Sequence, residues 1–347
     1  MPDLSLDALV ETLRAAPAWQ RKHEIGLLAE GLAGHTPLVD GQVVRLGDDT
    51  AAIHNGDGYL LLAAEVIYPP LVKANPYLAG RSAILANVND IYAMGGYPLA
   101  VVDTILADIP AGAAEIVRGL RDGCERYGVA LVGGHLTAAG EVNSVTACIL
   151  GRAKRLLSSF NARPGDAILH VVNLRGQFHP HFPFWDCSAH LSAAELRADL
   201  ALLPGLAERG WCEAARDISM AGILGSMMML LELSGVGATV DLAAIPQPAA
   251  AAERYLDWLL GFPSYGFILT ARPQYVPNIQ AAFAAHEISC AVIGEATAAP
   301  QVLLRRDSEE ALLRDLAREP FTGFAPAPVA PVNGVHGGTV SLREEAA

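Results

Sequence analysis

Residues 45–53 read RLGDDTAAI, with two neighbouring acids, Asp48 and Asp49, set directly ahead of an apolar run. Adjacent like charges at the mouth of a strand have two readings. Gly47-Asp48 is good turn chemistry, because both residue types tolerate backbone angles that others resist. Alternatively, both carboxylates face a bound cation that cancels their repulsion. The stretch leaves both open, and the rest of the chain has to decide.

The chain has 347 residues, 52% of them hydrophobic and 18% charged, which is length enough for two domains, each with its own core. A net charge of −13 argues against a nucleic-acid surface, since no Lys/Arg block is available to neutralise a run of phosphates. Cys124, Cys148, Cys187, Cys212 and Cys290 are odd in number, widely spaced and free of any CxxC pair. They read as reduced thiols of a cytoplasmic protein. The start, MPDLSLDALVETLRAA, is an amphipathic helix interrupted early by acids, not a signal peptide. The most apolar helix candidate, DISMAGILGSMMMLLELSG, is closed off by Asp217 and Glu232 and is too short to span a bilayer. A soluble protein without a membrane partner is expected.

Working outward from the acid pair, residues 4–33 read as two helices broken near Pro17, and short strands follow around 43–46, 50–54 and 59–66. A small-residue helix from Leu78 to Met94 ends at Gly95-Gly96, a C-cap signal. A strand (PLAVVDTIL), a helix over 113–127 and two more strands (VALVGG, VNSVTACILG) complete a mixed α and β block. NARPGDAIL, residues 161–169, opens a second block of alternating helices and strands, with strands near 167–172, 237–241, 266–271, 289–293 and 301–305. Asp307 and Glu310 have capping-box spacing, which predicts a final helix over EEALLRDLARE. From Phe321 onward the Pro-, Ala- and Gly-rich sequence predicts a disordered tail. The expected division is residues 1–157, residues 158–320 and a tail over 321–347.

Four patches carry chemistry. Beside Gly47-Asp48-Asp49-Thr50 stands Glu65, an acid in the strand run LLLAAEVI, which needs either a partner or a strand end reaching water. In ANVNDIYAMGGYP, Asn87 and Asp90 are three apart and share one face of an otherwise apolar helix. In LVGGHLT, Gly133-Gly134 lets the backbone approach a ligand, with His135 and Thr137 adding polar contacts, or marks only a turn. In RDISMAG, Asp217 and Ser219 either cap the following helix or hold a metal or phosphate at its N-terminus.

In this order the patches resemble the superfamily of aminoimidazole ribonucleotide (AIR) synthase, which includes thiamine-monophosphate kinase, selenophosphate synthetase and a hydrogenase maturation protein. The resemblance covers about residues 40–320, and NDIYAMGGYP with GGHLT is most similar to selenophosphate synthetase. It implies an α+β, two-domain, ATP-using enzyme. The N-terminal mixed β domains pair across a homodimer into a barrel, and the C-terminal domain is α/β. It also implies that Asp48, Asp49, Glu65, Asp90 and Asp217 gather magnesium on the ATP phosphates, with Asp49 and Asp90 catalytic. Asn87, Gly133, Gly134, His135, Thr137 and Ser219 then face the nucleotide.

The chain departs from the pattern at several points. The Cys and Lys near the N-terminus of selenophosphate synthetase are missing, since the first cysteine is Cys124. Glu65 replaces the usual Asp, His135 stands where two family members carry an acid, and Met220 follows Ser219 where the kinase has one more acid. NLRGQFHPHFPFWDC, residues 173–187, replaces a glycine-rich loop. Arg175 there is a candidate for a substrate carboxylate or phosphate and Trp185 for stacking on a ring, while a packed surface loop explains both equally well. His179 and His181, near Asp186 and Cys187, offer a zinc alternative. The leading expectation is an ATP- and Mg²⁺-dependent enzyme that phosphorylates an oxygen of a small molecule. The rivals are a nucleotide-binding partner protein without turnover and a metal-dependent hydrolase.

Overall fold

The computed structural model describes residues 4–138 and 143–324. The N-terminal half opens with three short helices, α1 (Leu6–Arg14), α2 (Pro17–His23) and α3 (Gly26–Gly31), where two were expected. Pro17 stands at the first position of α2, which suits proline because its missing N–H has no helical partner there. A small hairpin, β1 (Leu38–Val39) with β2 (Gln42–Val43), leads to the acid pair.

Five strands then form one sheet: β3 (Ala51–Asn55), β4 (Gly58–Val66), β5 (Tyr97–Ala107), β6 (Ala130–Ala138) and β7 (Ser144–Ala153), in the order β3-β4-β7-β5-β6. Between them run α4 (Pro69–Ala74), α5 (Pro76–Ala93) and α6 (Pro110–Tyr127). Helices α5 and α6 touch backbone to backbone: a Cβ on Gly80 would collide with the Ile116 carbonyl, and one on Gly119 with the Tyr77 carbonyl. That closeness buries most of α5, so Asn87 and Asp90 are enclosed with Val88 and Ile91. Alternate strand residues such as Leu61, Val101, Ile105 and Ile149 fill the core. The opposite face is open and apolar, carrying exposed Leu62, Val66, Val102, Leu106 and Leu150. The sheet is not closed into a barrel within the described residues of one chain.

The C-terminal half holds a second sheet of seven strands: β8 (Ala167–Val172), β11 (Ala214–Asp217), β12 (Gly237–Asp241), β14 (Gly266–Ala271), β15 (Ser289–Thr297), β16 (Gln301–Arg306) and β17 (Glu309–Asp315). Their order is β11-β14-β8-β15-β12-β16-β17, and every neighbouring pair is antiparallel except β12–β16. Helices and strands alternate along the chain as an α/β reading expects, but the pairing makes an α+β layer. A three-stranded ribbon of β9 (Gln177–Phe178), β10 (Phe184–Asp186) and β13 (Phe262–Pro263) stands beside it. The helices are α7 (Ala193–Leu200), α8 (Leu202–Arg209), the buried α9 (Gly222–Ser234), α10 (Tyr255–Leu260) and α11 (Val276–Ala284).

Two expectations fail at the C-terminal end. The predicted final helix is the strand β17: Asp307 turns at φ 56°, and Glu309–Asp315 pairs back on β16, burying Ala311 and Leu313. A hairpin partner and a buried face outweigh helix propensity here. The predicted tail begins too early, because Phe321 is fully buried and meets Trp19 edge-on at 5.6 Å. Glu232, inside the apolar α9, accepts hydrogen bonds from the Phe321 N–H at 2.7 Å, the Thr322 N–H at 2.9 Å and the Thr322 hydroxyl at 2.5 Å. The remainder of the expected tail, 325–347, lies outside the described residues.

The first helices lie against the C-terminal half. Arg14 donates to the carbonyls of Leu312 and Leu313, and the Trp19 indole donates to the Ala221 carbonyl at 2.9 Å. This anchoring carries α2 across the boundary between the two sheets. Among the described residues no helix is long and apolar enough to cross a membrane, and the five cysteines are unpaired.

Candidate functional site

Three carboxylates from distant parts of the chain converge where the two sheets meet. Asp49 lies in the bend before β3, Asp90 on α5 and Asp217 at the end of β11, and one oxygen from each lies within 4.8 Å of the others. Among the described residues this is the one group of three or more His, Cys, Asp or Glu side chains with metal-ligand spacing. Asp49 is held from two sides: Arg216 Nη2 lies 3.0 Å from Oδ1, and the Asp217 N–H donates to Oδ2 at 3.2 Å. Asp90 Oδ2 is buried and has no hydrogen-bond partner.

Burial pushes all three carboxyls upward. Asp49 rises to about 8, first from lost hydration and then from Asp217 and Asp48, against the pull of Arg216. Asp217 rises to about 6, with desolvation leading and Glu65 adding, opposed by Arg216 and Lys22. Asp90 rises well above the usual range, from desolvation and then from Asp217, Glu65 and Asp49. Glu65, near the end of β4, stands at the rim: the residue is open to solvent. Its carboxyl is also raised, first by desolvation on the cluster side, with Lys22 lowering and Asp49 raising it. It lies outside the close trio but within its field.

Two cations face these acids, and sequence reading singled out neither. Arg216 is buried, donates to the Gly47 carbonyl at 3.2 Å and leaves Nε unpartnered. Lys22, brought in by α2, donates to Ser219 Oγ at 3.5 Å. Its amine is pulled below the usual lysine range by desolvation first and Arg216 second, while Asp217, Glu65 and Asp49 hold it up. The signal for Arg216 was a charge inside the buried strand AARD; Lys22 is hidden among the basic residues of its helix. Burial favours the neutral form of these carboxyls; ionising all four would leave two negative charges beyond the two cations, a balance that a divalent cation would restore. A hard cation taking oxygen ligands fits this donor set, and the orphan Asp90 oxygen is the atom it would satisfy.

Other sequence candidates fall elsewhere. Asp48 does not join the cluster: it accepts from Ser158 Oγ at 2.5 Å and from the Ser159 N–H at 3.0 Å. The bend that carries the pair gives each acid its own partners: Asp48 the Ser158–Ser159 segment, Asp49 Arg216 and the Asp217 N–H. Asn87 lies one turn before Asp90 on α5, its amide donating to the Ala83 carbonyl and its Oδ1 unpartnered. Ser219 does not cap α9, which starts at Gly222 without a side-chain cap; its N–H donates to Ser226 Oγ.

The GGHLT residues lie on β6, the edge of the first sheet. Gly134 pairs with Asp103, which pairs with Ala147, which pairs with Glu65, so these four form one line across the sheet. A Cβ on Gly134 would collide with the Asp103 carboxyl. His135 pairs with Thr104 and Thr137 with Leu106, which puts both on the open apolar face, with His135 Nε2 and Thr137 Oγ1 3.3 Å apart. Gly133 likewise neighbours Val102 on that face. None of them meets the acid trio within this chain.

Trp185 is a core residue. It is 2% exposed, packs edge-on against Phe178 and Trp258, and donates to the Asn173 carbonyl at 3.0 Å, leaving no face for a ligand ring. Arg175 is exposed but engaged, 2.6 Å from Glu287. The zinc reading of the same loop also fails. His179 Nδ1 accepts from the His181 N–H, the Cys187 thiol is buried and pushed up to about 12, and among the described residues no ligand trio forms there.

The family models for AIR synthase related protein match this chain in two places, the N-terminal domain over residues 47–153 and the C-terminal domain over 184–306. An uncharacterised Synechocystis protein is 43% identical over 286 residues, 82% of this chain and 88% of its own length. The selenide, water dikinase of Aeromonas salmonicida is 27% identical over 254 residues, covering 67% of this chain and 71% of the relative. Among solved structures, ThiL complexed with AMPPCP and TMP superimposes with a TM-score of 0.62 at 18% identity, covering 89% of this chain and 96% of that one. The two matched domains take in the whole first sheet, five of the seven strands of the second and all three acids of the trio, and the chain belongs to the AIR synthase related family.

Proposed function

We propose that the protein is an ATP- and Mg²⁺-dependent enzyme that transfers a phosphoryl group to an oxygen of a small molecule at the Asp49–Asp90–Asp217 site. One observation carries this reading: three acids from three elements meet around a buried carboxylate oxygen with no partner. The selenide, water dikinase relative supports the reaction class, and the ThiL complex with AMPPCP supports the nucleotide.

Asp49, Asp90 and Asp217 would hold magnesium, with Glu65 reaching in from the rim. When bound, the metal neutralises phosphate oxygens as charge shifts between them. The chain's own part is positioning and electrostatics rather than covalent attack. Arg216 fixes Asp49, α5 fixes Asp90, and Lys22 presents an ammonium group toward the space in front of Ser219. Asn87 Oδ1, one turn from Asp90 on α5, is buried and unpartnered. Homodimer formation through the open face of the first sheet would cover Leu62, Val66, Val102, Leu106 and Leu150, and would bring Gly133, His135 and Thr137 against a second copy.

Calorimetric titration with ATP at fixed Mg²⁺, beside a screen for ADP release with small-molecule acceptors, tests the reading. Mg²⁺-dependent binding with turnover on an acceptor supports it. Binding without turnover on any acceptor would instead favour a nucleotide-binding partner protein, and absence of Mg²⁺-dependent binding would remove both.

A further inference from the structure

Behind the turn that carries Asp48 lies a cleft of about 660 Å³. Strand β3 and the start of β4 line one side, the connection between β7 and β8 another, and the turn from α8 into β11 a third. Small-molecule sites occupy roughly 300–1,000 Å³. The cleft is therefore large enough for a metabolite, and Asp49, Asp90 and Asp217 are not part of its lining.

Charge sets the cleft apart. Across the chain 24 Lys and Arg face 37 Asp and Glu. Here four cations, Arg45, Lys154, Arg155 and Arg163, outnumber the acids Asp48, Asp57 and Glu213. Two of those acids are engaged: Asp48 by Ser158 and Ser159, and Glu213 by Arg163 at 3.1 Å. Among the described residues Lys154 and Arg155 pair with no carboxylate, while the Arg45 guanidinium sits over Phe160, 5.0 Å from the ring centre. The buried Thr50 hydroxyl, also in the lining, has no hydrogen-bond partner. Unpaired cations on two walls, an aromatic ring and an orphan hydroxyl form a receptor for an oxyanion on a small organic body.

We propose that this cleft is a second ligand site, taking a small molecule that carries a phosphate group. Residues Gly47–Thr50 separate it from the acid trio, with Asp48 on one side of the turn and Asp49 on the other. The site does not depend on the phosphotransfer reading.

Inorganic pyrophosphate titrated into the full chain in EDTA, at constant ionic strength, tests it, because without divalent metal the acid trio lacks the cation that would hold a phosphate. Saturable one-site binding is expected, at least tenfold weaker in Lys154→Ala/Arg155→Ala and in Arg45→Ala, and unchanged in Asp90→Asn. All three cations are exposed, so unaltered thermal unfolding will show the variants folded. Heat without saturation, affinity unmoved in the cation variants, or binding lost in Asp90→Asn would overturn the assignment.

Discussion

Asp48 and Asp49 are chain neighbours that serve opposite sides of one turn. Asp49 meets Arg216 at 3.0 Å inside the acid trio, while Asp48 accepts from Ser158 Oγ at 2.5 Å beside the outer cleft. Asp48 still adds to the rise at Asp49, and each carboxyl has its own donors, Arg216 and the Asp217 N–H at Asp49 and a hydroxyl and an amide at Asp48.

The orphan oxygen of Asp90 makes Asp90→Asn informative in two directions. The amide cannot serve as a charged metal ligand, so Mg²⁺-dependent ATP binding should weaken at least tenfold. The metal-free protein should gain about 1–3 kcal/mol from losing a buried, repelled carboxyl. Calorimetry and thermal unfolding in EDTA read the two effects. A variant that binds Mg²⁺-ATP normally removes Asp90 from the site.

The raised acids set a pH dependence. Asp49 titrates at about 8 and Asp217 at about 6 in the folded protein, against 3.8 for the free group. Between 3.8 and those values the folded state binds more protons than the unfolded chain, so stability falls as pH rises. In EDTA the melting temperature should drop from pH 6 to pH 8. Saturating Mg²⁺ should flatten that slope by holding the acids ionised. A melting temperature that rises over this window in EDTA would contradict the assignment of these groups.

Arg216 is the buried partner of Asp49, and breaking such a pair costs about 3–5 kcal/mol because the remaining charge is stranded. Arg216→Ala should show that loss in denaturant unfolding, and Arg216→Ala/Asp49→Asn should recover part of it. Additive losses would mean that the two side chains are not coupled.

Lys22 touches Ser219 rather than any carboxylate oxygen directly. Lys22→Ala should lower the turnover rate about 10²-fold, in the range for one lost electrostatic donor, while Mg²⁺ affinity holds or tightens. Steady-state kinetics on an identified acceptor decides this, and an unchanged kcat would leave Lys22 a structural residue.

Phe321 fills a core site against Trp19, so Phe321→Ala should cost about 3–5 kcal/mol in equilibrium unfolding. A neutral result would restore the disordered-tail reading for this segment.

Much of the fold was legible because the first sheet and α5 announce themselves by apolar runs and glycine stops. The motif order identified the family before any side chain was placed. What stayed hidden depends on contacts between distant parts of the chain. Glu309–Asp315 has helical composition and becomes a strand because β16 offers an edge. Trp185 is aromatic in a loop and is absorbed by Phe178 and Trp258, and Lys22 matters because Trp19 anchors α2 over the second sheet. Asp48 and Asp49 are indistinguishable in sequence, and only the direction of the backbone separates them.

The most direct test is crystallography with Mn²⁺ and a non-hydrolysable ATP analogue, read by anomalous scattering. A manganese peak bonded to oxygens of Asp49, Asp90 and Asp217, with the triphosphate against it, is the expected result. A peak elsewhere, or a nucleotide bound away from these three side chains, would contradict the assignment.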